Sequence, residues 1–196
     1  MDLCMPRALC DQYRSRTQQA RVITEAWTLS NLYCSACKSP ALEQLPRNEP
    51  AADFYCAGCK SRYQLKSSSK PFVRRVVDSA YATMTAAILS DSAPNLLLLH
   101  YDANWHVSSL ILVPKFCFTI AAIQKRKPLG PLARRAEWVG CNIMLDAIPP
   151  DARIPIVHES QPVSQSSVRD AYNRLCPLVE IAPKFRGWAL NVLTYA

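Results

Sequence analysis

Asp53, Gln64 and Lys66 are the residues of this chain whose types and spacing could do chemistry on a phosphodiester. They share one stretch, ADFYCAGCKSRYQLK, from Ala52 to Lys66. Ala51 to Tyr55 and Tyr63 to Lys66 read as two short strands, and Cys56-Ala57-Gly58-Cys59 supplies a Gly-bearing turn between them. On the second strand Gln64 and Lys66 are two apart and project from one face, while Leu65 points into the core. If the strands pair, Asp53 reaches that same face, so a carboxylate, an amide oxygen and a lysine converge at one sheet edge. Hydrolysis of a phosphodiester needs an activated water, charge neutralisation on the phosphate and help for the leaving oxygen. Mg²⁺ held by a carboxylate would supply the Lewis acid and a metal-bound hydroxide. Lys66 would steer the nucleophile and stabilise the developing negative charge. Asp53, ten residues, then Gln64-Leu65-Lys66 fits a D…(E/Q)xK arrangement. The spacing alone is weak, and what singles it out is placement on a hairpin beside a metal motif.

That motif is Cys34-Ser35-Ala36-Cys37 followed, 18 residues later, by Cys56-Ala57-Gly58-Cys59. The spacing is that of a four-cysteine zinc site. Four thiolates close a tetrahedral shell and leave no position for water, so one structural Zn²⁺ is expected on Cys34, Cys37, Cys56 and Cys59. The module, about residues 33–60, would brace the hairpin; its Ser39 to Pro50 segment reads as a loop.

The surrounding elements are expected to form an α/β mixed sheet flanked by helices. Leu9, Tyr13, Ala20, Ile23 and Trp27 fall near a 3.6-residue repeat, predicting a helix over about residues 8–29. Phe72 to Leu89 reads as a second helix carrying Val73, Val76, Val77, Ala80, Tyr81 and Met84 inward. Asn95 to Tyr101 and Val107 to Pro114 are apolar runs suited to buried strands. Asn142 to Leu145 and Arg153 to Val157 read as short strands, Ser164 to Leu175 as a helix, and Arg186 to Leu193 as helix or strand. His100 and His106 receive no role.

With 49% hydrophobic and 19% charged residues the chain is an ordinary globular protein rather than a disordered one. Its formal charge of +8, lowered to about +6 by a zinc with four thiolates, favours an anionic partner. Met1 to Cys10 has no apolar stretch of the kind a secretory leader carries, so none is expected, and no apolar run approaches the ~18 residues of a membrane span. Nine cysteines is an odd number and argues against a disulfide framework. A cytoplasmic protein with no membrane association is expected, a single domain over residues 1–196. Cys4, Cys10, Cys117, Cys141 and Cys176 are then buried or incidental thiols.

Several further stretches carry a resemblance. QARVITE (Gln19–Glu25), ADFYC (Ala52–Cys56), LKS (Leu65–Ser67), AYATM (Ala80–Met84), RKPL (Arg126–Leu129), ARRA (Ala133–Ala136), GCNI (Gly140–Ile143) and RGW (Arg186–Trp188) resemble the nuclease domain of the DpnI-type methyl-directed type II restriction endonucleases. The similarity runs in register over essentially the whole chain. It implies a PD-(D/E)xK nuclease core with a structural zinc and Mg²⁺-dependent cleavage of double-stranded DNA at GATC sites whose adenines are N6-methylated. Asp53 and Lys66 match the active-site positions of that family. Gln64 stands where the motif normally has an acid; its amide oxygen can still ligate a metal, with one negative charge fewer. The resemblance also raises Glu25, otherwise a surface carboxylate, to a possible further acid at the metal. A C-terminal winged-helix domain of these enzymes has no counterpart here.

Lys125, Arg126, Lys127, Arg134 and Arg135 gather against one acid, Glu137, in KRKPLGPLARRAEWVG. Charge runs are often simply solvated surface, but this one coincides with the resemblance and includes Trp138, so it reads as the DNA-binding face. Arginines would grip phosphates or guanine edges, and Trp138 would stack on a base or else belong to the core. Burying one methyl group contributes only ~0.8 kcal/mol, about fourfold in affinity. Sharp methyl dependence therefore needs two methyls read together, or contacts made mainly in the transition state. Trp138 and Leu132 are candidates for that pocket. A non-cleaving methyl-adenine DNA-binding module, with Gln64 having abolished catalysis, is the second reading; a zinc-ribbon interaction protein is the third. The working species would be a monomer or a transient dimer.

Overall fold

Leu96 to Leu99 form a run of four leucines, each at most 1% exposed, and the sheet is built outward from them. The structure, a computed structural model, describes residues 1–46 and 52–195. After a 3₁₀ turn over Arg7–Gln12 come α1 (Arg16–Asn31), β1 (Glu43–Gln44), β2 (Phe54–Tyr55), β3 (Arg62–Ser68), β4 (Arg75–Ala80) and α2 (Tyr81–Leu89). Then follow β5 (Asn95–Tyr101), β6 (Val107–Val113), β7 (Ile123–Lys125), β8 (Gly140–Met144), β9 (Ile154–His158), β10 (Gln161–Pro162), α3 (Gln165–Leu175) and α4 (Arg186–Tyr195).

Seven strands form a mixed sheet in the order β1-β2-β3-β5-β6-β9-β10, and β4-β8-β7 form a smaller one. In the large sheet the β3–β5 pair is parallel; the crossover between them carries β4 and α2. Central position explains the unbroken apolar run of β5, since a strand covered on both faces cannot alternate. At its start Asn95 is buried but satisfied: its Nδ2 donates to the Arg62 carbonyl at 3.1 Å and its Oδ1 accepts from the Lys115 amide at 3.0 Å.

The expected helix over about 8–29 is two pieces. The chain breaks at Tyr13 and restarts after an extended Ser15, where the Gln19 side chain donates to the Tyr13 carbonyl at 2.7 Å. Helix α1 buries Ile23, Thr24, Trp27 and Thr28, two i,i+4 pairs on one stripe, and packs on β3. Helix α3 opens as expected, with the Ser164 hydroxyl accepting from the Ser167 amide at 3.1 Å. The Arg186 to Leu193 segment resolves as helix.

The reading of Phe72 to Leu89 as one helix is corrected. Its first half is strand β4, paired antiparallel with β8, and only Tyr81–Leu89 is helical. Val76 is buried, whereas Val73 is 74% and Val77 56% exposed. Consecutive β-branched residues lose side-chain freedom in a helix and suit a pleated strand, and once the segment is a strand, Val76 and Asp78 share its inward face. The expected Ser39 to Pro50 loop contains the short strand β1, which pairs with β2; residues 47–50 of that segment, and Ala51 of the expected first strand, lie outside the described residues. No helix among the described residues is long and apolar enough to cross a membrane.

Candidate active site and metal centre

The two strands pair antiparallel as a hairpin, with Phe54 opposite Tyr63 and Tyr55 opposite Arg62. Its turn is the second cysteine knuckle, closed by the Lys60 amide donating to the Cys56 carbonyl at 2.8 Å and the Cys56 amide to the Ser61 carbonyl at 2.9 Å. The left-handed residue of that turn is Lys60, at φ 62°, and not Gly58.

The Sγ atoms of Cys34, Cys37, Cys56 and Cys59 all lie within 4.8 Å of one another. Cys34 to Cys59 is 3.5 Å and Cys37 to Cys56 is 3.6 Å. Tetrahedral bonds of ~2.3 Å require sulfur separations of about 3.8 Å, so the cluster fits a zinc ion. Burial pushes the Cys34 thiol well up. At Cys56 burial acts in the same sense, but hydrogen bonds from the Cys59 amide, Ser39 and the neighbouring thiols outweigh it and bring the group down to about 6. Four sulfurs would complete the shell of such an ion, which would then hold the two knuckles together. The first knuckle is strapped from α3: Arg169 donates from Nε to the Cys34 carbonyl at 3.1 Å and from Nη2 to the Ser39 carbonyl at 3.2 Å.

Tyr63 joins this centre to the strand that carries Gln64 and Lys66. Its buried hydroxyl lies 3.2 Å from Cys34 Sγ and 3.0 Å from Ser35 Oγ, and accepts from the Ser35 amide at 3.2 Å. The sequence offered no reason to choose this tyrosine over the chain's other seven.

Strand alternation separates the two faces of β3. On one, Leu65 and Ser67 lie under α1, with the Thr24 hydroxyl 3.2 Å from that of Ser67. Leu65 is only partly buried there, against the rim of the core rather than inside it. Gln64 and Lys66 project from the other face, toward the small sheet. Asp53 sits at the strand's edge, where its Oδ2 accepts from the Leu65 amide at 2.7 Å. Burial pushes the Asp53 carboxyl up, the Leu65 hydrogen bond pulls it down, the nearby Glu25 pushes it up, and Lys66 and Arg21 pull it down; the net is upward. Glu25, on α1, lies near enough to Asp53 to act on its charge. It is held there by Arg21, at 2.7 Å to Oε1, and by the Gln44 amide, at 3.3 Å to Oε2.

The residue that sequence reasoning missed is Asp78 on β4. Its Oδ1 lies 2.6 Å from Lys66 Nζ and accepts from Gln64 Nε2 at 3.3 Å. The side chain is 1% exposed, and Oδ2 is buried without a partner. Reading Phe72 to Leu89 as a helix hid it; the signal that could have found it is the period-two pair Val76 and Asp78.

The basic tract is an arm of the small sheet. In register, Asp78, Cys141 and Lys125 form one row across β4, β8 and β7, so at about 4.8 Å per strand the cations begin ~10 Å from Asp78. Beyond the row the arm stays zipped, the Arg126 amide donating to Gly140 and the Leu129 amide to Trp138, both at 3.0 Å. Lys125, Arg126, Lys127, Arg134 and Arg135 are all exposed, and Lys125 Nζ lies 5.6 Å from the Tyr81 ring centroid. Trp138 is half-buried, its ring lying on Gly140, where any Cβ would stand 2.7 Å from ring carbons. Leu132 is fully exposed.

The protein-family model described as "DpnI: Dam-replacing family" matches residues 1–180. That span takes in every element from α1 to α3, both cysteine knuckles, the hairpin with Asp53, Gln64 and Lys66, and the basic arm. The chain belongs to the DpnI (Dam-replacing) family.

Proposed function

We propose that this protein is a metal-dependent endonuclease that hydrolyses phosphodiester bonds of double-stranded DNA carrying N6-methyladenine in GATC. Family membership implies a restriction endonuclease acting on DNA. The observation that carries the finer reading is one sheet edge holding Asp53, Gln64 and Lys66, with the basic arm rising beside it. Asp53 and Gln64 would hold Mg²⁺, and Glu25 is a further acid within reach. The chemistry of this donor set fits: a buried carboxylate next to a second acid is relieved by a cation, and a hard cation takes oxygen ligands. Gln64 suits the role because a carboxylate can only accept, so Asp78 takes the amide NH₂ and leaves Oε1 free. When bound, the metal supplies Lewis-acid stabilisation of the phosphate and lowers the pKa of the attacking water.

Lys66 stands over the same edge with a fixed ammonium, ready to stabilise negative charge developing on the phosphate. The exposed cations of the arm would hold the duplex backbone, and Trp138, propped on Gly140, would meet a base or its methyl. The enzyme would work in the cytoplasm as a monomer or transient dimer, with zinc confined to the brace.

The test is digestion of one plasmid prepared with and without adenine methylation, in Mg²⁺ and separately in Mn²⁺. Discrete fragments from the methylated copy alone are expected. Cutting of both copies would retain the nuclease and remove the methyl preference. Intact plasmid together with methyl-selective retention in a gel shift would favour a non-cleaving reader, the reading that the neutral Gln64 supports.

A further inference from the structure

A carboxylate that is taken out of water must be matched by charge and by hydrogen bonds, or it destabilises the fold. Asp78 is 1% exposed on its side chain, yet one of its oxygens has no partner and the other faces Lys66 and Gln64. A core position that served packing alone would more cheaply hold an apolar residue of similar volume. The charge balance of the site gives a reason for the acid. A D…(E/Q)xK centre with Glu at its middle position carries two negative charges against one lysine. Gln64 contributes none, and Asp78 stands 3.3 Å from its amide. The backbone explains how an acid from a separate sheet arrives there: β4 pairs with β8 so that Asp78 faces inward opposite the buried Cys141.

We propose that Asp78 is the second carboxylate of the catalytic centre, a positioning residue that supplies the charge missing at Gln64, clamps Lys66 Nζ and turns Gln64 Oε1 toward the metal position beside Asp53. This rests on the nuclease reading above. Three consequences follow from the geometry. Lys66 is held at 2.6 Å by a partner that cannot leave, because the partner is buried. Gln64 is held in one amide orientation by a carboxylate oxygen that accepts from its Nε2. The negative potential that attracts a divalent cation then comes from two strands of different sheets, so it depends on the two sheets keeping their relative placement.

The experiment compares the full-length wild type with Asp78→Asn and with the double variant Gln64→Glu/Asp78→Asn. Three quantities are read: Mn²⁺ binding by electron paramagnetic resonance, single-turnover cleavage of a methylated GATC duplex, and thermal melting. Removing a group that orients a metal ligand typically costs 10–100-fold. Asp78→Asn should therefore weaken Mn²⁺ binding and slow single-turnover cleavage by about tenfold or more, with duplex affinity unchanged. The double variant returns the charge to the middle position and should recover both to within about threefold of wild type. A purely structural Asp78 would move the melting temperature alone. Unchanged Mn²⁺ binding in Asp78→Asn, or a folded double variant as poor as the single one, would overturn the proposal. If the single variant does not fold, the double variant compared with wild type decides alone. Wild type that neither cuts nor binds Mn²⁺ would overturn the nuclease reading and this inference with it, whereas a cutting wild type with an indifferent Asp78→Asn overturns only the inference.

Discussion

Tyr63→Phe removes one oxygen from the contact between the cysteine cluster and the strand that carries Gln64 and Lys66. The ring remains, so no cavity larger than a hydroxyl opens. Three contacts disappear: with Cys34 Sγ at 3.2 Å, Ser35 Oγ at 3.0 Å and the Ser35 amide at 3.2 Å. Tyr63 is 1% and Ser35 2% exposed, so water cannot substitute and the Ser35 amide is left unsatisfied. That costs roughly 1–3 kcal/mol, and at 2–4 °C per kcal/mol for a chain of this size the melting temperature falls by roughly 2–12 °C. A second effect separates a brace from mere packing. Burial and the neighbouring Cys34 push the Tyr63 hydroxyl up, so it keeps its proton and can donate it to a metal-bound thiolate. Loss of a hydrogen bond to a charged ligand, worth about 1.5–3 kcal/mol, should speed transfer of zinc to a chromophoric chelator by roughly 10–100-fold. The assay is that transfer rate on the purified protein, beside a thermal melt with and without chelator. A lowered melting temperature with a wild-type rate of zinc release would refute the argument, leaving Tyr63 a core residue with no bearing on the metal.

Gly140→Ala places a methyl 2.7 Å from carbons of the Trp138 ring. The ring must swing away, at a cost of about 1–3 kcal/mol, so the variant should bind duplex more weakly with an unchanged slope of log affinity against log salt, since no cation is lost. A changed slope would contradict the arm's assignment. At Asp91 burial pushes the carboxyl up, but hydrogen bonds from Arg186 and Lys115 outweigh it and hold the group below 3.8. Its folded value lies beneath its unfolded one, so its contribution is complete above 3.8 and is lost as pH falls through the folded value. Melting temperatures of wild type and Asp91→Asn should differ at neutral pH and converge in acid; parallel curves would show that the ion pairs contribute nothing.

Local chemistry was the legible part of this sequence. The two cysteine pairs could be matched to a metal because their spacing is a property of the ligands, and the Asp53 to Lys66 hairpin could be placed because pairing, turn and alternation all lie within one short stretch. The leucine run of β5 announced a central strand for the same reason. Asp78 was not legible, since its role depends on β4 pairing with β8, a partner far along the chain. Val73, Val76, Val77, Ala80 and Met84 fit a helical stripe as well as two shorter elements, and only the tertiary pairing decides between them. Tyr63 shows the same limit from the other side. It stood in the sequence only as the first residue of a short strand, and its hydroxyl gained meaning only when Ser35 and Cys34 arrived beside it. Glu25 lies between these cases: the resemblance singled it out, and the structure adds that Arg21 and Gln44 hold it near Asp53.

Asp53→Asn tests the account most directly. The Asn oxygen can still accept the Leu65 amide that Asp53 Oδ2 accepts at 2.7 Å, so the variant removes a charge and almost nothing else. Loss of the carboxylate proposed to hold the metal would remove several kcal/mol of transition-state stabilisation, at least about a thousandfold in rate. Single-turnover cleavage of a methylated GATC duplex should fall by that factor, while gel-shift affinity for the same duplex stays within about threefold. Cleavage by Asp53→Asn at the wild-type rate would place the chemistry elsewhere and contradict the account.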